Sequence, residues 1–188
     1  MKKFPFYRQP DAMDCGPTCL RMVAKHYGKA ISLPKLRSFS ETTREGSSLK
    51  NIADAAEKIG FKTIGVKIDF NKLQKEALLP AIVHWKQNHF VVIYKIRKGK
   101  IFVADPGHGL LEYSAQEFIA NWIGENADET TEEGIALLLE PTPRLHQEKS
   151  PFDSLSRKNG TELRAQVVKT IRGLSSTERE RIEAQLNR

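Results

Sequence analysis

The hydrophobic period of this chain changes at Gly60, and that change restricts the fold more than any other feature. Before Gly60, Leu49, Ile52, Ala53, Ala56 and Ile59 recur at helical spacing and mark one buried face. Ser47 or Ser48 is placed to cap this helix and Gly60 to end it. After Gly60, Ile64, Val66 and Ile68 alternate, which marks a strand. Further strands are expected over 81–85, 89–96, 101–104, 110–113 and 135–139, with RKGK after Ile96 as a hairpin turn. Helices first and strands later imply an α+β fold, with N-terminal helices packed on a mostly antiparallel sheet.

Other signals fill in the order. Residues 1–13 read as an extended arm, followed by a helix from Cys15 to Tyr27 that Gly28 closes and a short helix over 33–39. SETTREGSS is a polar loop. A short helix is expected over 69–77, and Ser114–Glu117 (SAQE) is a capping box for a helix reaching Trp122. Pro141, Pro143 and the polar run after them mark a boundary. The expected division is a domain over 1–143 and a polar tail or linker over 144–188, with candidate helices at 161–172 and 177–187.

Composition removes several function classes. The longest apolar runs, FVVIY and IALLL, fall far short of the ~18 residues a membrane helix needs. The N-terminal MKKFPFYRQPD has no apolar stretch of the secretory-signal kind. Two cysteines four apart cannot build a disulfide scaffold and are read as reduced, which fits a cytosolic compartment. The net charge of +7 invites a nucleic-acid reading, but the lysines are scattered and no aromatic platform is interleaved with them. The excess is in residues 1–50, with ten Lys/Arg against four Asp/Glu. That end suits an anionic membrane surface or an acidic peptide equally well.

The chemistry is concentrated at Cys15. The thiolate, not the thiol, is the nucleophile, and a helix N-terminus favours it through its partial positive charge and free N–H groups. Pro17 is tolerated in a first turn, so with Asp14 as the cap Cys15 stands at the helix start. Its backbone N–H and the Gln9 side chain six residues upstream would be the two donors that a tetrahedral oxyanion needs. Cys19 reads as an inert small hydrophobe. His89 opens a strand after the Gln87–Asn88 turn, and Asp105 ends the neighbouring strand of the same hairpin. Asp105 can therefore hold one imidazole nitrogen while the other faces the thiol. His26, His84, His108 and His146 lack ligand spacing with either cysteine, so no metal or other cofactor is expected.

Together these residues resemble the double-glycine leader peptidases, the papain-like cysteine peptidase domains at the N-terminus of bacteriocin-processing ABC exporters. The family's cysteine motif is matched by Gln9, Asp14, Cys15, Met22, Tyr27, Gly28 and Leu33, with Thr18 in place of the usual alanine. Its histidine motif is matched by His89, Phe90, Val91 and Val92, then Val103, Ala104, Asp105 and Pro106, with valine at 103 where isoleucine or leucine is commoner. The resemblance covers about residues 1–143 and implies a papain-like fold. It implies Cys15 as nucleophile, His89 as general base and acid, Asp105 as its orienter and Gln9 as oxyanion donor. The implied substrate is a precursor peptide whose leader ends in two glycines. The implied partners are the membrane and ATP-binding domains of an ABC exporter, fused or separate, at the inner face of the cell membrane. The alternative is a peptidase-like module that binds leaders in a secretion transporter without cutting them.

Overall fold

A computed structural model of the chain describes residues 3–86, 88–124 and 133–146. The expected tail helices lie outside the described residues. Three helices lead: α1 (Cys15–His26), α2 (Leu33–Phe39) and α3 (Leu49–Ile59). Then follow β1 (Phe61–Ile68), α4 (Phe70–Glu76), β2 (Ala81–Trp85), β3 (His89–Arg97), β4 (Lys100–Asp105), β5 (Gly109–Ser114), α5 (Ala115–Trp122) and β6 (Gly134–Pro141). No described helix is long and apolar enough to cross a membrane.

The helix ends follow their residues. Ser48 accepts from the Asn51 N–H and opens α3, and Asp69 does the same for α4 through Lys72. Ser114 and Glu117 form the full capping box of α5. Gly60 closes α3 in the left-handed region at φ 108. A Cβ there would lie 2.4 Å from the Leu145 backbone nitrogen, so both the torsion and the space require glycine. Gly60→Ala is expected to cost about 2 kcal/mol or more. A thermal melt should show the midpoint falling by at least about 5 °C.

All strand pairs are antiparallel, in the order β1-β6-β2-β3-β4-β5. The last strand is thus inserted between the first and second. Both sheet faces are covered in the centre, because successive residues point to opposite sides. Phe90 and Val92 of β3 join Leu20, Met22, Val23 and Ile52 in a core beneath the N-terminal helices. Val91 and Ile93 join Phe118, Ile119 and Trp122 in a second core under α5. The extended arm is anchored by Phe4, which stacks on Tyr94 with ring centroids 4.5 Å apart.

Two details differ from the expected pattern. Ile64 lies on a strand as expected, yet it is 54% exposed, because β1 is an edge strand and cover thins there. Past residue 143 the chain still packs: a 3-10 turn, Pro143–Leu145, buries Leu145 in the first core. The Thr142 N–H also donates to the Gly60 carbonyl at 3.0 Å.

Candidate active site

Antiparallel pairing of β3 with β4 brings the start of one strand beside the end of the other. His89 and Asp105 therefore meet at one rim of the sheet, sixteen residues apart in sequence. His89 Nε2 donates to Asp105 Oδ1 at 2.9 Å, which leaves Nδ1 as the ring nitrogen for a third group. Cys15 lies near enough to the ring to bear on it, and it is one of the groups that raise the His89 imidazole. Helix α1 packs across β3, so Cys15, the first residue of α1, reaches this rim.

The turn after β4 builds the rest of Asp105's shell. Oδ1 also accepts from the backbone N–H groups of Gly107 at 2.8 Å and His108 at 3.3 Å, and Oδ2 accepts from His108 Nδ1 at 2.9 Å. Burial alone would raise the Asp105 carboxyl, but the bonds from His89, Gly107 and His108 and the charge of His89 hold it down at about 2. Burial alone would likewise lower the His89 imidazole. Its bond to Asp105 and the nearby Cys15, with their charges, instead raise it to about 9. The site thus favours an imidazolium paired with the Asp105 carboxylate.

The second cysteine stays out of this chemistry. Cys19 is fully buried, and its S–H donates to the Phe90 carbonyl at 3.2 Å. Burial, followed by the nearby Cys15 and Asp105, pushes this thiol well above the ordinary range, so it remains a protonated core residue. Thr18, where the family motif has alanine, is also buried, and its hydroxyl has no hydrogen-bond partner among the described residues.

Gln9 is drawn to the same turn. Its backbone N–H donates to the Pro106 carbonyl at 2.9 Å. Its side-chain amide reaches the Ala12 carbonyl at 3.5 Å, the outer limit of a hydrogen bond. Asp14 corrects an expectation. It occupies the N-cap position of α1, but its side chain makes no cap hydrogen bond. Both its oxygens are taken by Arg37 of α2.

Two participants were missed in the sequence. In the sequence His108 figures only as a histidine without ligand spacing to either cysteine, although its place three residues after Asp105, across a Pro-Gly turn, puts its ring within reach of the same carboxylate. Arg37 had no readable signal, since its partner is 23 residues away. His89, Asp105 and His108 also place their ligand-type atoms within 4.8 Å of one another. Each ring nitrogen there is already engaged with a separate carboxylate oxygen, so hydrogen bonding accounts for the cluster.

The model of the Peptidase C39 family matches residues 3–127. The lactococcin-G-processing and transport ATP-binding protein of Lactococcus lactis subsp. lactis is 35% identical over 163 residues, which is 83% of this chain and 21% of that protein. The chain thus spans about a fifth of the length of the curated relatives it matches. A solved double glycine motif protease from an AMS/PCAT transporter, in complex with a leader peptide, superposes with a TM-score of 0.66 at 31% identity, covering 74% of this chain and 93% of that one. The peptidase domain of Streptococcus ComA, a bi-functional ABC transporter of a quorum sensing pathway, superposes with a TM-score of 0.64 at 30% identity, covering 74% and 100%. With the helices, the antiparallel sheet and the cysteine helix in their expected places, the chain belongs to the Peptidase C39 family and has its papain-like α+β fold.

Proposed function

We propose that this domain is a cysteine endopeptidase that removes leaders from bacteriocin-type precursor peptides by cutting after a double glycine. The observation that carries this reading is the His89 ring, bonded to Asp105 at 2.9 Å and close enough to Cys15 for that side chain to raise its pKa. In the proposed reaction the Cys15 thiolate attacks the carbonyl carbon of the second glycine. The oxyanion is met by the Cys15 N–H and the Gln9 amide. His89 gives its proton to the leaving amine, and the C–N bond breaks to leave a thioester on Cys15. His89 then takes a proton from water, the hydroxide displaces the sulfur, and the leader departs as a carboxylate. Cys15 is only 6% exposed, and in the proposed reaction residues without side chains at the cut site meet the least steric resistance in reaching it.

The proposed partners are the membrane and ATP-binding domains of a peptide exporter, fused or separate, with the domain on the cytoplasmic side of the membrane. Synthetic leader peptides and mass spectrometry test the reading. Cleavage immediately after the second glycine is expected, and replacing either glycine with valine should abolish it. If leaders stay intact while Cys15 alkylates readily, another substrate class is indicated. If Cys15 is also unreactive, the non-cutting leader-binding module is the better account.

The pH profile provides a separate check. The imidazolium is the form that can protonate the leaving amine, and it is lost as pH rises through the raised His89 value of about 9. kcat/KM for leader cleavage is therefore expected to fall on the alkaline side near pH 9. The stability that the His89 pairing contributes is fully present below about pH 6.5 and disappears over the same rise. An alkaline limb near pH 6.5 would show that Asp105 and Cys15 do not hold the ring as described.

A further inference from the structure

The residue immediately before Cys15 is a buried carboxylate. Asp14 has a side chain only 2% exposed and stands at the N-cap of α1 without bonding to the helix. A negative charge next to a thiol disfavours the thiolate, so Asp14 alone would oppose what the helix terminus promotes. Asp14 does not stand alone, however. Arg37 reaches across from the last turn of α2 and grips Asp14 as a fork. Its Nε donates to Oδ1 at 2.6 Å and its Nη2 donates to Oδ2, the planar two-bond geometry that arginine supplies and lysine does not. Arg37 lies outside both sequence motifs.

We propose that Arg37 is a positioning residue of the active site. By holding both oxygens of Asp14 it cancels the charge beside Cys15 and keeps the carboxylate off the start of α1, leaving that positive end to the Cys15 thiolate. The inference rests on Cys15 being the nucleophile. The other groups around Cys15 are His89 from β3, itself bonded to Asp105 of β4 with His108 on the far oxygen, and Cys19 one turn along α1. Asp11 bears on Arg37 from the arm. His89, Asp105 and His108 hold one another through bonds that do not involve Arg37, and Cys19 is kept protonated by burial.

The test is the pH dependence of iodoacetamide alkylation, read by mass spectrometry on the full chain, with Cys15→Ser as the blank for Cys19. In Arg37→Met the midpoint of the rate profile should move up by roughly one pH unit, so that alkylation below the midpoint slows about tenfold. Arg37→Lys should restore part of the shift. The double variant Asp14→Asn/Arg37→Met removes both charges and should return to the wild-type midpoint. A role in packing alone would leave the midpoint in place in Arg37→Met, or would keep it displaced in the double variant; either result overturns the proposal. If Arg37→Met does not fold, Asp14→Asn decides, because its midpoint should lie at or below that of the wild type and a rise would overturn the proposal. Failure of the wild-type Cys15 to alkylate in a pH-dependent way would overturn the nucleophile assignment itself, and this proposal with it.

Discussion

Cys15→Ala is expected to reduce leader cleavage by at least about 10⁴-fold, because the variant has no sulfur to form the acyl intermediate and no other nucleophile occupies its place. Cys19 cannot substitute: it is fully buried, its S–H is committed to the Phe90 carbonyl, and its thiol is pushed up by burial. The substitution is mild for the fold. Cys15 belongs to the core beneath the N-terminal helices, and replacing a thiol with a methyl there costs on the order of 1 kcal/mol. Circular dichroism should therefore be unchanged and leader binding retained. Cleavage is followed by chromatography of the released leader, and undiminished cleavage by Cys15→Ala would refute the proposed mechanism outright.

His89→Ala should have the second largest effect, a loss on the order of 10³- to 10⁴-fold. One ring performs three tasks in the proposed reaction: it stabilises the thiolate, protonates the leaving amine and then takes a proton from water. Raising the pH can generate thiolate without the ring, but it cannot supply a positioned acid. Alkylation of Cys15 in the variant should therefore recover at high pH, whereas peptide cleavage should not. Asp105 would lose one partner but keep the N–H groups of Gly107 and His108 and the His108 ring, so its buried charge is not left bare and the fold should persist. Parallel recovery of cleavage and alkylation with pH would show that His89 serves only to activate the thiol.

Local chemistry explains which parts of this molecule were legible in its sequence. Gly60, Ser48 and the Ser114–Glu117 pair set helix ends through torsions and short-range bonds, so their meaning is carried within a few residues. The alternation after Gly60 marks strands for the same reason. The strand order is a different matter. The register that pairs Phe61 with Pro141 and Ile68 with Gly134 places β6 against β1 across more than sixty residues, and periodicity carries no record of that choice. The exposed Ile64 shows the same limit, since a period of two defines a face but not what covers it. At the site, the His89–Asp105 pairing follows from a hairpin and could be read. Arg37 could not, because a charge pair between α2 and the start of α1 depends on helix packing alone. Asp14 shows the cost of reading locally: its position is that of a cap, while its partner is tertiary.

The most direct test of the central claim is covalent labelling with a leader peptide ended by a glycine chloromethyl ketone, followed by peptide mapping. The account predicts a single adduct on Cys15, suppressed by excess double-glycine leader, weakened in His89→Ala and absent in Cys15→Ser. An adduct on another residue, or labelling of Cys15 that free leader fails to compete, would contradict it.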